Sequence, residues 1–239
     1  MKDLFFNFGR IQKNDPEFHE IFQNFAYGEV FEYSDLTEKE SILVTLASLI
    51  ACQSPKAFKK ILSSSLENDI SPIEVKELLY QSVPYVGFAR AHNFFGVVIK
   101  VFDKKGIDSP LEIRSNTDSN NRHEKGREIQ ESYFGKENIE MMRNQTPDGQ
   151  KHFNTFLEGF CFGDFYTRDG LNDQQRELIT LVFLASLGGC ENQLRGHVQA
   201  NLNVGNDKEK LVSAITVIMP YIGFPRTLNA LSIVNEICD

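Results

Sequence analysis

The sequence contains no tryptophan, and its four cysteines, at 52, 161, 190 and 238, stand far apart. With no close pair among them, neither a disulfide scaffold nor a structural zinc site is expected. Scattered thiols fit a reducing compartment, so the expected location is the cytoplasm. No apolar run approaches the roughly 20 residues that span a bilayer. The N-terminal apolar stretch is only Leu4 to Phe8, interrupted by Asn7, with no small-residue cleavage pattern, so no signal peptide is expected. HExxH, CxxC and glycine-rich nucleotide loops are missing, and no metal or cofactor is expected. Positive charge is also short: 25 Lys and Arg face 33 Asp and Glu, for a net charge of −8. Such a chain is a poor partner for nucleic acid. What is present is globular in kind. With 239 residues, 41% hydrophobic and 24% charged, the chain has room for one to two domains and a core that needs no cross-links.

The chain repeats itself. Residues 83–93 read VPYVGFARAHN and residues 219–229 read MPYIGFPRTLN. Pro84/Pro220, Tyr85/Tyr221, Gly87/Gly223, Phe88/Phe224, Arg90/Arg226 and Asn93/Asn229 coincide at an offset of 136. Upstream, TLASLIA at 45–51 lies over TLVFLAS at 180–186 at an offset of 135. One inserted residue reconciles the two, and two copies of one unit result.

Both copies read as helices. Thr37, Ser54-Pro55 and Ser71-Pro72 open three helices of the first copy with caps, early acids or Pro at the first position. Gly87 ends the third, and a last helix is predicted over 88–102. In the second copy Asn172-Asp173 opens a helix to Leu187, stopped by Gly188-Gly189. A further helix runs from Glu191 to Asn203. Asn206 is placed to cap the next, with Glu209 completing a capping box. Gly223 precedes the last helix. Residues 122–134 and 149–162 add two more helices, with a shorter counterpart at 15–25. No run alternates with period two, so the predicted fold is all-α. The predicted units are 1–102, a polar linker at 103–121, and 122–239.

Five motifs occur in order in the second half: Phe162-Gly163-Asp164-Phe165-Tyr166-Thr167-Arg168-Asp169-Gly170-Leu171, Arg176-Glu177-Leu178-Ile179-Thr180-Leu181, Gln193-Leu194-Arg195-Gly196-His197, Asn203-Val204-Gly205 and Tyr221-Ile222-Gly223-Phe224-Pro225. This resembles the carboxymuconolactone decarboxylase family, which also contains alkylhydroperoxidase D. The resemblance covers 122–237 well and 15–102 more weakly, and marks a tandem two-copy member. It implies an all-α fold of two such repeats. It also implies a homotrimer, because single-copy members look like hexamers and fusion makes one dimer interface internal. The helix at 88–102 is apolar nearly all round, which calls for cover on every side.

Candidate chemistry gathers in the second copy. His197 sits mid-helix and can exchange a proton near neutrality. The resemblance favours it over an ordinary core histidine, because the family keeps a histidine there. Cys190 precedes a helix, where the positive end lowers a thiol pKa, and lies two turns before His197. Its bland alternative is a small residue packed at a helix start. Glu177, on the preceding helix, could face His197 and fix its tautomer, or merely complement the helix dipole. Arg168, Arg195 and Arg226 are candidate carboxylate clamps or else surface ion pairs, Arg195 being favoured by its neighbourhood. The peroxidase branch resembles Cys-x-x-Cys-x-x-x-His, but Gln193 stands where the second cysteine belongs. The first copy is bare: Ile61 occupies the His197 position, and Lys59 stands seven residues after Cys52. It reads as a scaffold half completing the pocket, and the repeated Tyr-x-Gly-Phe string as a structural turn. Three functions stay open. One is a cofactor-free decarboxylase for a small carboxylated lactone or keto acid, with His197 as acid/base. The second is a thiol peroxidase using Cys190 and His197. The third is a non-enzymatic helical assembly.

Overall fold

The computed structural model describes residues 9–66 and 69–239. The first repeat begins with α1 (Gly9–Asn14) and α2 (Pro16–Asn24), a π-helical turn (Phe25–Glu29) and α3 (Val30–Glu32). It continues through α4 (Glu38–Ala51), α5 (Pro55–Ser65), α6 (Pro72–Val86) and α7 (Phe88–Lys105). The second contains α8 (Arg122–Phe134), α9 (Lys136–Gln145), α10 (Lys151–Phe156), a π-helical stretch (Leu157–Tyr166), α11 (Asp173–Leu187), α12 (Glu191–Asn203), α13 (Lys208–Ile222) and α14 (Phe224–Cys238). No strand occurs among the described residues, as the all-α reading predicts. No helix among them is long and apolar enough to cross a membrane.

The caps explain where the helices start. Thr37 with Glu40, Ser71 with Glu74, and Asn172 with Gln175 form reciprocal capping boxes. One predicted cap is shifted. Asp207, not Asn206, caps α13, accepting from the Lys210 N–H at 2.8 Å. Asn206 turns inward, donating to Asn201 Oδ1 at 2.8 Å and to the Gln174 carbonyl at 2.9 Å. A buried amide with two acceptors is better satisfied there than at an exposed helix end.

α4 and α11 form the centre. Residues 41–51 and 176–186 are buried without interruption, so these helices are enclosed on all sides. They cross closely, with the Ser48 and Ser186 hydroxyls 3.1 Å apart. Both repeats contribute to one continuous core. A buried ionic clasp also joins them. Glu77 of α6 takes Arg176 Nη2 at 3.1 Å and Arg168 Nε at 3.0 Å, with Glu77 and Arg176 fully enclosed.

One predicted helix takes a different course, and one helix is additional. α9 was hidden by its polar composition, and only Ile139 on it is buried. The predicted helix at 149–162 becomes α10 followed by a wide-turned stretch as far as Tyr166. α8 packs so closely on this stretch that a Cβ on Gly126 would overlap the Glu158 carbonyl oxygen, and one on Gly163 the Arg122 carbonyl. α7 is buried on one face only, through Ala91, Phe94, Val98 and Val101. Phe88 and Ile99 are 62% and 55% exposed. The polar segment after α7 is tied down rather than loose. Asn116 and Thr117 donate to the carbonyls of Thr167 and Gly163 at 2.8 and 2.7 Å.

Candidate active site

His197 reaches the site from α12 and Glu177 from the second turn of α11. The two helices pack as neighbours, and His197 Nδ1 lies 2.8 Å from Glu177 Oε2. Glu177 is fully enclosed, and His197 is 8% exposed. Asn201, one turn after His197, donates to the backbone carbonyls of both Glu177 and His197, at 3.0 and 2.7 Å. This amide locks α12 onto α11 at the dyad. The imidazole is also held between two aromatic rings at nearly right angles, Tyr85 at 5.3 Å and Phe134 at 5.2 Å. With Nδ1 engaged, Nε2 is the nitrogen left for the cavity that His197 lines.

The other Glu177 oxygen is part of a longer chain. Tyr166 donates to Glu177 Oε1 at 2.9 Å, and the Tyr85 hydroxyl bonds to that of Tyr166. Thr180 Oγ1 lies 3.2 Å from the Tyr166 hydroxyl and accepts from Gln81 Nε2 at 3.2 Å. Gln81 in turn accepts from Arg176 Nη1 at 3.1 Å. The dyad is thus continuous with the Glu77 clasp. Tyr166 is placed by the π-helical stretch and Tyr85 by α6 of the first repeat. Burial pushes both phenols well above the ordinary tyrosine range, so they act as neutral hydroxyls. Tyr85 lies in the string read from sequence as structural. Its repetition at Tyr221 was a usable signal, because each copy's tyrosine reaches a tyrosine of the other repeat. Tyr221 meets Tyr27 at 3.0 Å.

The cavity beside His197 has a volume of about 1050 Å³. Its floor is His197, Cys161, Phe162 and Gln130, and its walls are largely phenylalanine, leucine and methionine. Cys190 lines it too, so the predicted shared face with His197 is present. Its electronic state is not the predicted one. Burial raises the Cys190 thiol, and the Glu191 carboxylate adds to the effect. Its Sγ donates to the Leu184 carbonyl at 3.3 Å, which favours the protonated thiol over a thiolate. Cys161 is pushed up to about 12 by burial.

The three candidate arginines lie away from His197. Arg168 is bound to Glu77 and lies over the Tyr80 ring at 4.6 Å. Arg195 grips Glu236 with two bonds of 2.9 Å at the surface. Arg226 lines a separate cavity of about 310 Å³, divided from the first by Leu184, Leu187 and Cys190. None of the three lines the His197 cavity.

The same run of helices occurs twice, and the His197–Glu177 contact lies in the second copy. The chain belongs to the carboxymuconolactone decarboxylase family, whose family model matches it twice, over residues 16–100 and 151–236. Over 116 residues it is 28% identical to the 4-carboxymuconolactone decarboxylase of Acinetobacter baylyi, a match spanning 48% of this chain and 86% of the relative. It also superposes on a solved chain from Burkholderia xenovorans LB400, provisionally named a gamma-carboxymuconolactone decarboxylase subunit. That match has a TM-score of 0.50 and 16% identity, covering 96% of this chain and 89% of the other. At that identity the likeness is one of fold.

Proposed function

We propose that this chain is a cofactor-independent decarboxylase-type enzyme in which His197 is the general acid/base and Glu177 its positioning partner. The observation that carries the reading is the enclosed Glu177–His197 contact of 2.8 Å opening on a large cavity. The substrate is an acid whose carboxylate is β to a carbonyl or its vinylogue. Loss of CO₂ leaves the electron pair of the broken C–C bond delocalised on that carbonyl. The Nε2 proton of imidazolium then passes to carbon, and His197 regains a proton from water. Glu177 holds the tautomer with Nδ1–H inward and stabilises the imidazolium before transfer.

The thiol-peroxidase alternative is less well supported. It needs a thiolate nucleophile and a resolving thiol. Here Cys190 and Cys161 are both held protonated, and Gln193 stands at the second-cysteine position. We also propose that three chains associate, which would cover the exposed apolar faces of α7 and α14.

The test is CO₂ release from 4-carboxymuconolactone and from β-keto acids. His197→Ala is expected to lower turnover about a hundred- to ten-thousand-fold, the usual worth of a general acid/base. Cys190→Ser is expected to stay within a few-fold. Equal activity of His197→Ala and the parent would sink the mechanism. Hydroperoxide reduction lost in Cys190→Ser would install the alternative.

A further inference from the structure

The cavity has a chemical character that its family's name does not suggest. Among the described residues that line it there is no lysine and no arginine. The ionisable groups on its surface are His197, Tyr85 and two thiols held protonated. The arginines that could have bridged to it are bound to Glu77 and Glu236 or lie behind the Leu184–Leu187 wall. A small substrate with two carboxylates would bring two negative charges into this space. One could pair with imidazolium, and the other would meet no cation among the described lining residues. An unpaired charge in an apolar site is strongly disfavoured.

The walls favour a different molecule. Phe134, Phe153, Phe156, Leu157, Phe160 and Met142 surround the approach to His197, and Phe153 and Phe156 are more than half exposed. At about 1050 Å³ the cavity stands at the top of the range of roughly 300–1,000 Å³ that encloses drug-sized ligands. The buried Gln130 and the rim amides Gln193 and Gln199 offer neutral hydrogen bonds only. From this we infer that the substrate is a monocarboxylic acid with a large apolar body, its single carboxylate end at His197 and its body along the phenylalanine wall. The inference rests on the acid–base reading of the same site, and in place of the small carboxylated lactone or keto acid expected from sequence it names a fatty or aryl β-keto acid.

Binding and turnover separate the two claims. Titration calorimetry on the full chain would compare laurate, a monocarboxylate with an apolar tail, with adipate, a compact dicarboxylate. Laurate is expected to bind at one site per chain, at least about tenfold more tightly than adipate, a difference of about 1.4 kcal/mol. Leu157→Arg adds a cation to the wall and should reduce the laurate-to-adipate preference about tenfold. Met142→Lys, on α9 and partly exposed, makes the same change at a position that tolerates a polar side chain. Adipate binding as tightly as laurate, or a preference untouched by both variants, would overturn the inference. CO₂ release from β-ketolaurate is then read separately. Laurate bound with the expected preference but β-ketolaurate left intact would remove the decarboxylase reading and uphold the ligand class.

Discussion

Replacing Glu77 with alanine tests the inter-repeat clasp most sharply. Among the described residues Glu77 is the sole carboxylate bonded to Arg176, and both side chains are completely enclosed. Arg168, the second partner, keeps only 9% of its side chain exposed. Without Glu77, Arg176 retains Gln81 and the Arg168 carbonyl as acceptors but no counter-charge. Breaking a buried pair in this way costs about 3–5 kcal/mol, because it strands the remaining charge. A domain of marginal stability, about 5–15 kcal/mol, would lose about a fifth of it or more. The assay is urea unfolding followed by circular dichroism. Glu77→Gln, which keeps an acceptor oxygen, should fall between alanine and the parent. Removing the whole triad, with Glu77, Arg168 and Arg176 all made methionine or leucine, should cost less than the single alanine change, since no charge is left to strand. A loss below about 1 kcal/mol for Glu77→Ala would mean that Arg176 is solvated after all, and the reasoning would fail.

Gly126→Ala should destabilise by about 3 kcal/mol, near the top of the range for overpacking, because the contact it meets is backbone that cannot rotate away. Thermal melts against Gly149→Ala, where nothing lies near, provide the comparison. Cys190 should alkylate slowly at neutral pH. Its rate should climb only above the ordinary thiol value of ~8.5, because burial and Glu191 raise its pKa. A thiolate already formed at pH 7 would contradict the site as described. Light scattering should give three times the 27.3 kDa chain mass, and a monomer would leave Phe88, Ile99, Phe224 and Leu228 without cover.

The helices that could be read from sequence are those with local punctuation. Thr37, Ser71 and Asn172 announce their helices, and Gly87, Gly188 and Gly223 end them, through interactions confined to a few neighbouring residues. The capping of α13 was misread by one position because Asn206 answers to Asn201 and Gln174 across space. The π-helical stretch leaves no periodic signature, since its cause is the close approach of α8. At the site, Glu177 and His197 were visible through spacing and resemblance. Tyr85 was not, because its partner Tyr166 lies 81 residues away in the other repeat. The state of the Cys190 thiol was misjudged for a related reason. A helix start is local, whereas burial and the Leu184 carbonyl belong to the tertiary structure. The arginines looked available because Glu77 and Glu236 are distant in the chain.

The reach of Tyr85 from one repeat into the other has an evolutionary corollary. In a symmetric pair of identical subunits, every substitution arrives twice, and a tyrosine that serves one site must serve its mirror image as well. Covalent fusion breaks that obligation. Tyr85 can be selected for what it does at His197, while Tyr221 is free to follow whatever suits Tyr27. Ile61 can become greasy filler without harming any acid or base. Such a chain can tune the two sides of the His197 pocket separately, a freedom that identical subunits lack.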